Sequence, residues 1–325
     1  MFEIIHLGLS TVLDFIYQRS WLLFVIIVAG VLWYFMKASE PPKQNEQHLT
    51  MKQSVKEPSC DIGNQIVNND PHAFDRLIGL EKAKREVQDF FDIMKTYATN
   101  PKLANKYELK PPKGLLLYGP PGNGKTSFAR ACAQFYGFSF IPVKGSALLA
   151  GDGAVGVPQQ RIKTLFKEAR LRQPCIVFFD EIDAIAQVRS GRSINSPSDI
   201  ILDSLLNEID GFNPLEGVFI MAATNRKDIL DPAIIRPGRL EKHIEIGNPE
   251  FNDRVAILKA HIGKKPIEND IDFYKLASWT EGKSGAFLET VVNIANTNAF
   301  RERRSITQTD LENAVIELET VQNKF

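Results

Sequence analysis

A chain of 325 residues that is 44% hydrophobic has enough apolar material for a large core and more than one domain. Its 39 Lys and Arg balance 39 Asp and Glu, so nothing suggests a dominant nucleic-acid surface and a nucleic-acid partner is not expected. Three widely separated cysteines, Cys60, Cys132 and Cys175, exclude a disulfide framework and fit reduced thiols in a cytosolic compartment.

The first 19 residues form a short segment with Ile5, Leu9, Val12 and Ile16 at helical spacing. They extend the next element or lie at a membrane interface. Between Arg19 and Lys37 there is no charge. A helix over this stretch is about 26 Å long, close to the hydrocarbon thickness of a bilayer. Trp21 stands at one end and Trp33-Tyr34 at the other, as interfacial belts require. A transmembrane helix is therefore expected over residues 20–37. A cleaved signal peptide is the main rival, but the run is long for one and no small-x-small site follows. Arg19 precedes the span, whereas Lys37, Lys43, Lys52 and Lys56 follow it. The positive-inside rule puts the carboxyl side in the cytosol. Residues 38–69 are polar, with Pro41-Pro42 and many Asn and Gln, and read as a flexible linker.

Leu115-Leu116-Leu117-Tyr118 reads as a buried parallel strand. Gly119-Pro120-Pro121-Gly122-Asn123-Gly124-Lys125-Thr126 follows, with a helix beginning near Lys125, and Pro120 to Ser127 are the expected nucleotide contacts. Glycines let the backbone turn and aim successive N–H groups at one point, and a helix N-terminus adds more. This is a phosphate-binding loop, in which Lys125 reaches the β- and γ-phosphates and the Thr126 hydroxyl binds Mg2+. A second apolar strand, Cys175-Ile176-Val177-Phe178-Phe179, ends in Asp180-Glu181. Ligands of open parallel sheets sit beyond the carboxyl ends of strands. Asp180 then stands near the Mg2+ of a bound nucleotide, and Glu181 near the attacking water, whose proton it accepts.

A third strand, Val218 to Ala223, ends in Thr224-Asn225, and Asp231-Pro232-Ala233-Ile234-Ile235-Arg236-Pro237-Gly238-Arg239 follows. With these in place the chain resembles the AAA-type ATPases, most nearly the ATPase module of FtsH-type membrane AAA proteases. GPPGNGKT, FFDEID, AATNR and DPAIIRPGR stand in that family's order over about Phe74 to Leu318. The resemblance implies a P-loop AAA+ α/β domain, a parallel sheet with helices on both faces, over residues 70–248. It also implies a small helical lid over residues 249–325, with helices near Asn252–Ile262, Asp272–Thr280, Gly285–Arg301 and Gln308–Glu319. It makes Asn225 a sensor of the γ-phosphate that positions water. Arg236 and Arg239 become fingers projected into a neighbour's site, a task that suits a permanently charged, forked guanidinium. Ile78, Gly79, His261, Gly285 and Ala286 would surround adenine and ribose, and Asp210-Gly211-Phe212 would signal nucleotide state between subunits. The implied ligands are ATP and Mg2+. The implied assembly is a ring, a hexamer of this chain or one shared with a related AAA subunit, acting on polypeptide at a membrane.

The sequence also departs from that family. No His is followed by Glu, so the HExxH zinc motif of the protease domain is missing and protease activity is not expected. Where threading members carry an aromatic on a pore-facing loop, this chain has Ala154-Val155-Gly156, and no aromatic occurs between Phe140 and Phe166. Grip on an extended chain should be weaker without that apolar contact. Phe287 replaces a usual acidic residue in Ser284-Gly285-Ala286-Phe287. The basic cluster Arg301-Glu302-Arg303-Arg304 reads as a solvated helix face. The function that follows is a membrane-anchored ATPase that remodels, extracts or unfolds proteins of the membrane. A regulatory or scaffold subunit with weak translocation of its own is the alternative.

Overall fold

The computed structural model describes residues 69–109, 113–149, 157–188, 196–211 and 217–322. The span expected over 20–37, nearly all of the linker, Phe212 and the Ala154-Val155-Gly156 stretch lie outside them. Among the described residues no helix is long and apolar enough to cross a membrane.

Five parallel strands form one sheet: β1 (Gly114–Tyr118), β2 (Ser139–Lys144), β3 (Cys175–Asp180), β4 (Val218–Thr224) and β5 (Leu240–Glu245), in the order β2-β3-β4-β1-β5. The three strands read from the sequence are the central ones. All seven residues of β4 are buried, as a strand covered on both faces requires. Side-chain alternation divides the sheet between two cores. On one face Leu116, Val177, Phe179 and Ile220 meet α5 (Val157–Leu171) and α6 (Pro197–Asp210) through Leu165, Phe166, Leu202 and Leu205. On the other, Leu115, Leu117, Phe178 and Met221 meet α1 (Glu81–Thr99) and α3 (Lys125–Tyr136) through Val87, Phe91, Phe128 and Cys132. Short helices α2 (Pro101–Lys106) and α4 (Gly145–Leu149) complete this part. Cys132 and Cys175 are both buried free thiols, and burial pushes Cys175 up to about 12.

After Pro249 come α7 (Phe251–Ile262), α8 (Phe273–Trp279), α9 (Gly285–Arg301) and α10 (Gln308–Gln322). Each overlaps a helix expected there and starts within one residue of it. They share a third core that includes Leu258, Leu276, Leu288, Val291, Val292 and Leu311. Arg254 is buried in it. Its guanidinium donates to the carbonyls of Ala277 and Pro249, both at 2.9 Å, which fixes α7 to α8 and to the turn that enters the helical part.

The basic cluster is exposed, as its reading as a solvated face expects, but only Arg301 belongs to the helix and Arg304 has a defined partner. Arg304 Nη2 donates to Asp310 Oδ1 at 2.8 Å, and Asp310 Oδ2 accepts from the Thr307 amide at 2.9 Å. Thr307 returns a bond, accepting from the Asp310 amide at 3.2 Å, so this ion pair closes the start of α10. Hydrogen bonding from Arg304 and Thr307 holds the Asp310 carboxyl at about 2, below its ordinary 3.8. A depressed carboxylate stabilises the fold above its unfolded value and loses that contribution as pH falls through the folded one. Thermal melting followed by circular dichroism should therefore show a drop between about pH 3.8 and about pH 2. Asp310→Asn should cost about 1 kcal/mol at neutral pH, discounted for solvent screening, and flatten that drop. An unchanged acid limb in the variant would contradict the assignment.

Candidate nucleotide site

The order β3-β4-β1 brings three strand ends side by side, and the motif residues follow those ends. The loop after β1 depends on its glycines. Gly122 and Gly124 hold φ of 78° and 82°, where a side chain is strained. A Cβ on Gly119 would meet the Ile246 carbonyl oxygen at 2.3 Å. Gly124 is the N-cap of α3 and offers no side chain to its free amides, so these remain available to an anion.

Lys125 begins that helix and is buried. Its Nζ donates to the carbonyls of Gly119 and Pro120, both at 2.8 Å, so the loop is folded around the ammonium. Burial lowers its pKa, while Asp180 and Asp183 act the other way. The Thr126 hydroxyl donates to Asp180 Oδ2 at 2.7 Å. A hydroxyl and a carboxylate converging beside a buried ammonium are hard oxygen donors that fit Mg2+, which takes one or two protein oxygens and keeps waters and phosphates for the rest. Glu181 follows at φ 53° and ψ 48°, a left-handed conformation that costs a non-glycine residue about 1 kcal/mol. Gly145, across from it, has no room for a Cβ, which would stand 2.4 Å from the Glu181 carbonyl oxygen. Asn225 is exposed just beyond β4. Thr224 donates to Asp183 Oδ1 at 2.7 Å and accepts from the Arg226 amide, which fixes the turn carrying Asn225.

Beside the loop lies a cavity of about 340 Å³, open to solvent, that the helical part flanks. Ile78, Gly79, Gly122, Asn123, Gly124 and Ser127 line it from one side, and His261, Gly285 and Ala286 from the other. Pro120, Pro121, Lys125 and Thr126 belong to the loop rather than to this lining. Sequence reasoning missed Leu77, Leu80, Ile257, Ala260 and Glu289 among the walls. It also missed Asn248. Asn123 Nδ2 donates to Asn248 Oδ1 at 2.7 Å, and Asn248 Nδ2 donates to the Gly282 carbonyl at 2.7 Å. The Gly285 amide donates to Asn123 Oδ1 at 3.0 Å, and the Ala286 amide to the Gly122 carbonyl at 2.9 Å. The Asn123 side chain thus joins the loop to the start of α9. An Asn before a Pro, as in Asn248-Pro249, was the available signal.

Arg236 and Arg239 are not brought to this cavity. Leu240, the next residue, pairs with Gly114 at the amino end of β1, whereas the phosphate loop leaves its carboxyl end. The strand separates the two by about 16 Å. Arg236 is exposed. Arg239 is partly buried, and its Nε donates to Asp210 Oδ2 at 2.9 Å at the end of α6. Lys113 Nζ donates to the Ile209 carbonyl at 3.2 Å beside it.

Residues 115–248 match the family "ATPase family associated with various cellular activities (AAA)". This stretch is an AAA-family ATPase domain. A stretch of 249 residues of this chain is 40% identical to the cell division cycle protein 48 homolog of Archaeoglobus fulgidus, covering 76% of this chain and 33% of that protein. The ATP-dependent zinc metalloprotease FtsH of Mesoplasma florum is 35% identical over 297 residues, 90% of this chain and 43% of its own. The protein of the same name from Halothermothrix orenii is 39% identical over 246 residues, 74% of this chain and 38% of its own. The chain therefore spans between a third and under half of the length of these relatives. Each of these similarities is longer than the stretch that matches the family.

Proposed function

We propose that this chain is a membrane-anchored AAA ATPase that uses ATP hydrolysis to remodel, extract or unfold proteins in or at a membrane. The observation that carries the reading is the convergence of the Lys125 ammonium, the Thr126 hydroxyl and the Asp180 carboxylate where the loop meets α3. Lys125 and the loop amides hold the triphosphate, and Ile78, Gly79, His261, Gly285 and Ala286 enclose the nucleoside. Thr126 and Asp180 hold Mg2+, which draws charge from the transferring phosphoryl group when bound. Glu181 takes a proton from water as the water oxygen bonds to the γ-phosphorus, and the bond to the bridging oxygen breaks to release ADP. Asn225 orients that water.

Arg236 and Arg239 stand at the far ends of the strands, so any action on phosphate is on a neighbouring copy. A head-to-tail contact repeated around an axis closes into a ring, and six copies is the number proposed. The apolar run at residues 20–37 supports an anchor, with the AAA domain on the cytosolic side. A second reading, a regulatory subunit of a mixed ring with little pulling of its own, is favoured by Ala154-Val155-Gly156 in place of an aromatic.

One experiment decides between the readings. The full chain is placed in vesicles with a folded, membrane-tethered substrate, and unfolding is measured per ATP hydrolysed. The pulling reading expects slow, ATP-dependent unfolding that Ala154→Phe accelerates. ATP turnover with no unfolding in either protein would favour the regulatory subunit.

A further inference from the structure

The parallel strands have a second end, at their amino termini and away from the phosphate loop. The segment that carries α2 leads into β1 there. Lys102 and Lys106 stand four residues apart on it, as do Leu103 and Tyr107, so each pair stacks along one side of the turn. All four are exposed, Leu103 by 41% and Tyr107 by 65%, while Ala104 packs inward. Lys95, near the end of α1, is exposed as well. At the same end of the sheet α5 finishes four residues before Cys175 opens β3, and it brings exposed Lys167 and Leu171. Among the described residues no carboxylate pairs with Lys95, Lys102, Lys106 or Lys167, whereas Lys84, Lys275 and Lys283 are each paired. Glu108 is the only acidic residue between Lys95 and Leu109, so this corner carries net positive charge.

Ammonium groups on long stems beside an exposed Tyr and Leu suit a surface that is anionic outside and apolar beneath. The chain also enters the domain at this end. The Asp70 amide donates to the Gln134 carbonyl at 2.9 Å in the last turn of α3, next to the start of β2. We infer that the amino-end face of the sheet docks on an anionic bilayer surface, its lysines on lipid phosphates and Leu103, Tyr107 and Leu171 in the headgroup layer. This rests on the membrane anchor proposed for residues 20–37, which joins the domain through Asp70 and so brings this end to lipid in preference to the nucleotide site. Each lysine close to an anionic leaflet strengthens the contact about fivefold.

The test is lysine acylation, read peptide by peptide by mass spectrometry on the full chain. The chain is reconstituted in vesicles of phosphatidylcholine alone, in vesicles of phosphatidylcholine mixed with phosphatidylglycerol, and in neutral detergent. Lys144, exposed at the carboxyl end of β2, is the reference, and it corrects for chains that face the vesicle lumen. In the anionic vesicles Lys102 and Lys106 should react at least about fivefold more slowly relative to Lys144 than in the neutral ones, and high salt should remove the difference. The double variant Lys102→Glu, Lys106→Glu should return Lys95 and Lys167 to their neutral-vesicle rates, with unchanged ATP turnover in detergent as proof that it folds. Equal rates in the two kinds of vesicle overturn the lipid contact while leaving the anchor standing. Protection that is already complete in detergent assigns the face to a second copy of the chain and also overturns it. A chain that carbonate strips from both kinds of vesicle overturns the anchor itself.

Discussion

Glu181→Gln is expected to bind ATP as the unaltered chain does and to hydrolyse it at least about a hundredfold more slowly. The loop contacts survive that change, whereas the group that accepts the water proton does not, and general-base catalysis contributes about 10²–10⁴-fold. Lys125→Ala should fail one step earlier. It removes the ammonium around which Gly119 and Pro120 are folded, so affinity itself should fall. Steady-state turnover and nucleotide affinity on both variants separate the two defects. Near-normal turnover in Glu181→Gln would remove Glu181 from the chemistry, and tight ATP binding by Lys125→Ala would remove the lysine from the phosphates.

The second large effect is expected from the turn before β5. Arg236→Ala should leave ATP affinity near normal and lower turnover by about 10³-fold, the usual loss when an arginine acting across an interface is removed. Arg239→Ala should also slow turnover, and here the structure adds a control. Arg239 is bound by Asp210 within its own chain, so Asp210→Asn should reproduce part of the Arg239 defect. Mixing either arginine variant with Lys125→Ala subunits should restore some activity, because an intact pocket on one copy can meet an intact arginine on the next. Mixed rings that stay inactive would argue that the sites are not shared. Turnover unaffected by Asp210→Asn would assign Arg239 to the neighbour alone.

How far the sequence carried depended on where each element lies. β1, β3 and β4 are central and covered on both faces, so they are unbroken apolar runs that can be read directly. β2 and β5 are the edges and were not anticipated. Pro142 sits inside β2, where an interior strand would lose a ladder bond but an edge strand tolerates it. β5 is Leu240-Glu241-Lys242-His243-Ile244-Glu245, with only Leu240 and Ile244 buried, too sparse for an apolar-run reading. The phosphate-loop residues were legible because they are consecutive. Of the cavity walls, Ile78, Gly79, His261, Gly285 and Ala286 were reached through the family resemblance, whereas Leu77, Ile257 and Glu289 were not, since they come from three separate helices or turns and carry no shared spacing. The partners of Arg239 and Arg304 were equally hidden, because a guanidinium gives no sign in sequence of which carboxylate folding will bring to it.

Asn123 gives the molecule a further property. One side chain accepts from the first amide of α9 and donates to Asn248, which in turn holds Gly282, so any tilt of the helical part is felt at the loop. Coupling of this kind is reciprocal: whatever triphosphate binding does to the angle of the helices, an external force on that angle does to triphosphate affinity, by the same factor. A neighbour that leans on α7–α10 could therefore regulate product escape without touching a single phosphate oxygen, and successive copies around a ring would be timed by leverage rather than by diffusion.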